Sequence, residues 1–124
     1  MSQPGGIVLD QIAPDSPVCR GWEPYDIHDE FYLRLKFDGR VTPVLKVRVE
    51  EQDQVVAWTF ERPERGRSFG TTLAHFWENF REEAFRRMIV NGILWSAGVE
   101  VPAEGAPVAV TEDDLAIPET PPAK

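Results

Sequence analysis

The side chains best suited to chemistry are His75 and Glu78, three residues apart between a predicted strand and a predicted helix. In α/β folds, ligand-binding groups stand where strands end and helices begin. An imidazole exchanges protons near neutral pH, and a nearby carboxylate holds it in one tautomer. We therefore predict His75 and Glu78 as catalytic residues, with His75 as the acid or base. In the structural alternative, His75 binds a loop carbonyl and Glu78 frames the start of the helix.

A second group of candidates is the run of His28, Asp29 and Glu30 at the entrance to a predicted strand. Successive strand residues point to opposite faces, so His28 and Glu30 share a face and Asp29 opposes them. A metal site needs three or four ligands that converge in space. We therefore predict no metal site, and a metal shared by His28, Glu30 and His75 is the weaker alternative.

The lone cysteine, Cys19, excludes an internal disulfide and a multi-cysteine metal cage in this sequence. It lies between Pro17 and Gly21 and not on a Gly-x-Cys-x-Gly elbow. Nucleophilic catalysis by this thiol, and with it glutamine amide hydrolysis, is therefore disfavoured. The sequence identifies no cofactor.

Length, composition and net charge limit the classes of partner that this chain can bind. A length of 124 residues with 42% hydrophobic and 27% charged residues suits one soluble core. The net charge of −8 argues against nucleic acid and against an anionic membrane surface as partners. No apolar run reaches the roughly 18 residues of a membrane span, and the first residues do not form a signal peptide. We expect a cytoplasmic protein.

Alternating apolar and polar residues predict five strands, the last two forming an antiparallel hairpin. These strands cover residues 6–12, 27–37, 44–49, 54–60 and 67–73. One apolar stripe at three- and four-residue spacing predicts a helix over 82–97, with Asn79 as its cap and Gly98 at its end.

The composition changes near the C-terminus, where residues 102–124 hold five of the eleven prolines and no aromatic residue. Such a segment buries too little apolar surface to offset its ordering entropy. We predict a main unit over 1–103 and an acidic, proline-rich, mobile tail over 104–124. The main unit is expected to be α/β, with a mixed sheet of about five strands and one long C-terminal helix. One helix cannot cover both faces of such a sheet, so we expect an incomplete domain with an open face.

Four blocks of sequence, in order along the chain, resemble the ThuA-like (trehalose utilisation) family. They are DEFY over 29–32, VAW over 56–58, GRSFGTTLAHFWENF over 66–80 and AFRRMIVNGILWSAG over 84–98. The resemblance spans roughly residues 7 to 103. It implies a flavodoxin-like, class I glutamine amidotransferase-like architecture with a largely parallel sheet, of which this chain is the C-terminal half.

The resemblance also implies a function in carbohydrate metabolism, on trehalose, related disaccharides or keto-sugars. It favours Asp29 and Glu30 as pocket or structural residues, and we predict them as substrate-binding residues; a solvated strand edge is the alternative. Trp77 joins them because it is adjacent to the candidate catalytic histidine and aromatic faces stack on sugar rings. Two departures from the family pattern are the missing N-terminal half with its Gly-Gly-His-type loop, and Trp77 in place of a second histidine. Both imply an incomplete catalyst.

Two functions therefore stay open, and the sequence does not choose between an enzyme and a binding module. The first is a sugar-binding site with acid or base chemistry. The second is a non-catalytic assembly module that pairs through its open sheet face. Its partner would be a second copy of the chain or a separately encoded N-terminal half.

Overall fold

The structure, a computed structural model, describes residues 7–116 as a single curled sheet with one long helix against its inner face. The strands are β1 (Ile7–Gln11), β2 (Tyr25–Ile27), β3 (Thr42–Val49), β4 (Gln52–Glu61) and β5 (Arg67–Thr71). The helices are α1 (Glu83–Ser96) and the short α2 (Glu112–Leu115), with 3-10 turns at Pro17–Cys19 and Trp77–Arg81. Within this part of the chain, no helix is long and apolar enough to cross a membrane.

The sheet confirms the predicted α/β class, five strands and single long helix, but its strands are not mixed in direction. The strand order is β2-β1-β3-β4-β5, and all four neighbouring pairs are antiparallel. The largely parallel sheet implied by the resemblance is therefore corrected for the described residues. A parallel pair needs a long crossover, usually a helix, and α1 comes only after the last strand.

The longest predicted strand, over 27–37, was wrong beyond its first residue. Regular pairing ends at Ile27, and Arg34 adopts a left-handed backbone with φ of 59°. Its N–H donates to Gln54 Oε1 at 2.8 Å, so the segment is held by a side chain and not by a strand ladder. Phe37 packs on the Trp58 ring, with centroids 4.9 Å apart. Of the other alternating apolar residues, Phe31 is buried and Leu33 packs partly against the core, whereas Leu35 is 39% exposed.

Helix α1 follows the predicted stripe except at Ile93, which is 55% exposed, and it ends as predicted. Phe85, Met88 and Gly92 are buried. Gly98 has a φ of +76°, and its N–H donates to Trp95 O at 3.0 Å, so the chain turns out of the helix in the left-handed conformation typical of glycine. The predicted cap was wrong, because a 3-10 turn precedes the helix and Glu82 stands at its N-cap.

Residues 101–108 lie along α1. Asn91 Oδ1 accepts the Ala106 N–H at 2.9 Å, Arg87 Nε donates to Ala106 O at 3.0 Å, and Arg86 Nε donates to Val108 O at 2.9 Å. Val108 is buried. The domain boundary at residue 103 and the mobility of 104–124 stay predictions, and the last eight residues of the tail lie outside the described range.

Candidate functional site

The candidate site forms where the segment after β2 meets the segment after β5. These two strands lie at opposite edges of the sheet, yet Asn79 Nδ2 donates to His28 O at 3.0 Å. The curl of the sheet therefore brings together side chains more than 40 residues apart in sequence. The segments that meet are 28–30 and 74–79.

The imidazole of His75 contacts the carboxylate of Glu30, with 3.1 Å between Nε2 and Oε2. Both side chains are partly exposed, 46% for His75 and 34% for Glu30. A neutral imidazole protonated at Nε2 would donate to this carboxylate, which fixes the tautomer and leaves Nδ1 as the acceptor. The sequence placed Glu30 in a separate substrate-binding role, and the structure makes it the carboxylate partner of His75.

Glu78 lines a shallow pocket of about 420 Å³ together with His28, Phe76 and Asn79. The rings of His28 and Phe76 stack with centroids 5.3 Å apart and an interplanar angle of 8°. The His75 ring meets Phe76 edge-on at 4.7 Å. Phe76 thus contacts both imidazoles, a role that sequence analysis missed, although its position beside His75 offered a signal.

Asp29 is fully buried beneath the surface pair. Its Oδ2 accepts the Ala74 N–H at 2.8 Å, and its Oδ1 accepts the N–H groups of Glu30 at 2.8 Å and His75 at 3.1 Å. A longer contact joins Oδ1 to the Phe76 N–H at 3.4 Å. Asp29 is buried and Glu30 is partly exposed, although the strand from which their opposite faces were predicted ends at Ile27. Direct contact between Asp29 and a substrate stays a prediction.

Trp77 is 37% exposed beside the pocket. The Arg81 guanidinium lies 5.1 Å from the centroid of its ring, a cation–π geometry. The same guanidinium meets the Glu112 carboxylate at 2.6 Å, so α2 tethers it. Arg81 is therefore held against the indole, and the predicted role of Trp77 as a substrate contact stays a prediction.

Metal binding and nucleophilic catalysis by a thiol have less support in the described part of the chain. Among residues 7–116, no group of three or more His, Cys, Asp or Glu side chains could hold a metal ion. The Cys19 thiol is buried in the first 3-10 turn, and this burial raises its pKa to about 12. A thiol that stays protonated at neutral pH is a poor nucleophile.

The fold and the site define an α/β domain in which a curled antiparallel sheet and a closing helix present a His–Glu pair beside a shallow pocket. A comparison with protein-family models matches residues 3–96 to ThuA, described as trehalose utilisation. The chain belongs to the ThuA family, which confirms the assignment from the sequence blocks. No curated protein and no solved structure matches the chain significantly.

Proposed function

We propose that the site binds a sugar or keto-sugar and that His75, paired with Glu30, transfers a proton to or from it. The observation that carries the proposal is the 3.1 Å contact between Nε2 of His75 and Oε2 of Glu30 at a partly exposed position. The family link to trehalose utilisation supplies the substrate class. In this proposal the protein acts in the cytoplasm.

The surroundings of the pair support the proposal. Glu78 and Asn79 line the adjoining pocket and offer a carboxylate and an amide to the hydroxyl groups of a sugar. The imidazole edge and the Phe76 ring provide the apolar surface against which C–H groups of a sugar pack. General acid–base catalysis requires a proton-transfer group within hydrogen-bond reach of the ligand, and the His75 side chain is 46% exposed to an incoming ligand.

The binding test uses amide NMR spectra of the full chain titrated with trehalose and, separately, with D-fructose as a keto-sugar. We expect shifts confined to residues 28–30 and 74–79. The variants His75→Asn and Glu30→Gln should weaken binding by about tenfold or more, because the first removes the imidazole and the second replaces the carboxylate beside it with an amide. Glu64→Gln, in the exposed 62–66 loop, is the matched control and should leave the titration unchanged.

The catalytic test follows D-fructose in D₂O by proton NMR. Proton abstraction from the carbon next to the carbonyl, followed by return of a deuteron, would convert that C–H group to C–D. The proton signal of this group would therefore disappear while the other signals of the sugar remain. We expect exchange with the native chain and none with His75→Asn. Sugar binding without exchange would reduce the function to binding, and absence of both would refute the proposal.

A second candidate function, self-association, is favoured by the outer face of β1. Val8 is 48% exposed and Ile12 is 40% exposed, on the side of the strand opposite the buried Leu9. The neighbouring strands carry both charge signs, with Arg48 Nη1 and Asp53 Oδ1 3.0 Å apart. In the proposed dimer, these apolar groups pack against the same face of a second copy across a two-fold axis.

The proposed partner is therefore a second copy of this chain, with a separately encoded half-domain as the rival outcome. Light scattering should give a dimer mass that Val8→Lys converts to a monomer mass. A monomer at all accessible concentrations refutes pairing between copies. Conversion to a 1:1 complex on adding a separately encoded ThuA-like half would establish the rival.

A further inference from the structure

The carboxylate of Asp29 joins the two segments that form the site. It is fully buried, and it accepts hydrogen bonds from the backbone N–H groups of Glu30 on its own segment and of Ala74 and His75 on the other. A buried carboxylate is costly unless donors surround it, and backbone amides supply them here. These hydrogen bonds therefore join the two segments through one buried side chain.

The shape of the loop suits this anchor. Ala74 has a φ of +83°, a left-handed conformation that few residues other than glycine adopt. This turn points the N–H groups of Ala74 and His75 toward one carboxylate, with the Phe76 N–H in longer contact at 3.4 Å. Successive amides that converge in this way form an anion-binding concavity, which the chain fills with its own side chain.

One oxygen atom links the two residues of the surface pair. Oδ1 of Asp29 accepts the Glu30 N–H at 2.8 Å and the His75 N–H at 3.1 Å. The side chains of the same two residues meet 3.1 Å apart at Nε2 and Oε2. Their backbones are thus fixed to a common point, and the separation of their side chains depends on it.

We infer that Asp29 is a positioning residue, whose carboxylate anchors the loop that carries His75 and thereby sets the contact between His75 and Glu30. The chemical use of that contact rests on the proposed function, but the anchoring does not. An amide cannot replace the carboxylate, because the amino group of Asp29→Asn would face N–H donors. Asp29→Glu would not fit either, since its extra methylene adds a bond of about 1.5 Å to a closed loop of contacts.

The test uses the full chain without any sugar and measures two quantities. Hydrogen exchange reports the protection of the Ala74 and His75 amides, and ¹⁵N spectra of the histidine rings report the contact of His75 with Glu30. In Asp29→Asn, the protection of both amides should fall about tenfold or more. The ring signals of His75 should move to the positions seen in Glu30→Ala, where the contact is removed directly.

Asp26 is an exposed aspartate on β2, so Asp26→Asn is the matched control and should leave both quantities unchanged. If Asp29→Asn loses protection but keeps the native ring signals of His75, Asp29 only stabilises the loop and the inference is overturned. Unchanged protection overturns it as well. Failure of sugar binding would leave both readouts intact, so the two proposals fail separately.

A second pair of variants keeps the test decisive if Asp29→Asn does not fold. Ala74→Pro removes the N–H that donates to Oδ2 and cannot adopt the left-handed φ, whereas Ala74→Gly keeps both features. We expect the ring signals of Glu30→Ala in the proline variant and native signals in the glycine variant. Native ring signals in Ala74→Pro would overturn the inference.

Discussion

Replacing Asn91 with leucine should destabilise the chain more than any exposed polar substitution. Asn91 lies fully buried in α1 and connects three segments. Its Nδ2 donates to Val18 O at 3.1 Å and to Arg20 O at 2.9 Å, and its Oδ1 accepts the Ala106 N–H at 2.9 Å. Leucine fills a similar volume but makes none of these hydrogen bonds.

The magnitude follows from the groups that lose their partner. Val18 O keeps a second donor, the Trp22 Nε1–H at 2.9 Å, so it stays satisfied. Arg20 O and the Ala106 N–H lose the side chain that bonds them. The bond to Ala106 is buried and the bond to Arg20 is partly buried. A buried unsatisfied group costs about 1–3 kcal/mol and a partly buried one less, so Asn91→Leu should lower the free energy of unfolding by about 2–4 kcal/mol. Because a native domain is stable by only about 5–15 kcal/mol, this loss is large.

Urea unfolding, followed by far-UV circular dichroism, measures this loss. With a slope of about 1–3 kcal/mol per molar urea, a loss of about 3 kcal/mol lowers the midpoint by about 1–3 M. Asn79→Ala is the control, because its single bond to His28 O lies at the surface and should contribute less than about 1 kcal/mol. A midpoint for Asn91→Leu equal to that of the control would refute the reasoning.

Two further predictions concern packing and pH. In Gly92→Ala, the new Cβ would lie closer to the Phe69 ring than van der Waals contact allows. The free energy of unfolding should therefore fall by about 1–3 kcal/mol, although alanine has the better helix propensity. A higher melting temperature than that of the native chain would show that Phe69 moves aside. The buried Cys19 thiol, whose pKa is raised from 9.0 to about 12, should resist a disulfide reagent at pH 8 until urea unfolds the chain. The contribution of this thiol to the free energy of unfolding is complete below pH 9 and declines from there toward pH 12, because the unfolded chain releases the thiol proton at lower pH than the folded chain. A free energy of unfolding that stays constant over that pH range would contradict this linkage.

The sequence predicted those elements whose signal is local. The stripe of α1 and the glycine at its end are read from neighbouring residues, and the hairpin of β4 and β5 from two adjacent alternating runs. The strand over 27–37 shows the limit of such patterns. Alternation reports that one side of the segment is buried, but it does not report a partner strand, and here the burial comes from packing over the sheet.

The site was predicted in part for the same reason. His75, Glu78, Asp29 and Glu30 come together as a region, but sequence proximity suggested Glu78 as the carboxylate beside the histidine. The observed partner, Glu30, is 45 positions away and reaches His75 only because the sheet curls. Nothing in either segment alone encodes that contact, since it depends on the shape of the whole sheet.

The same geometry determines how the site must be studied. Asp29, Asn79 and the His75–Glu30 pair all join the segments 28–30 and 74–79, so the contacts that hold the fold closed are also those that shape the site. Loss of activity in a variant of any of them would confuse lost chemistry with a displaced loop. Spectra of the His75 ring separate the two, because they report the contact within the folded protein, whatever its stability. If the His75 ring loses its contact only when Glu30 itself is replaced, the pair alone determines the geometry of the site. If the contact is also lost when Asp29 is replaced, the buried carboxylate determines that geometry.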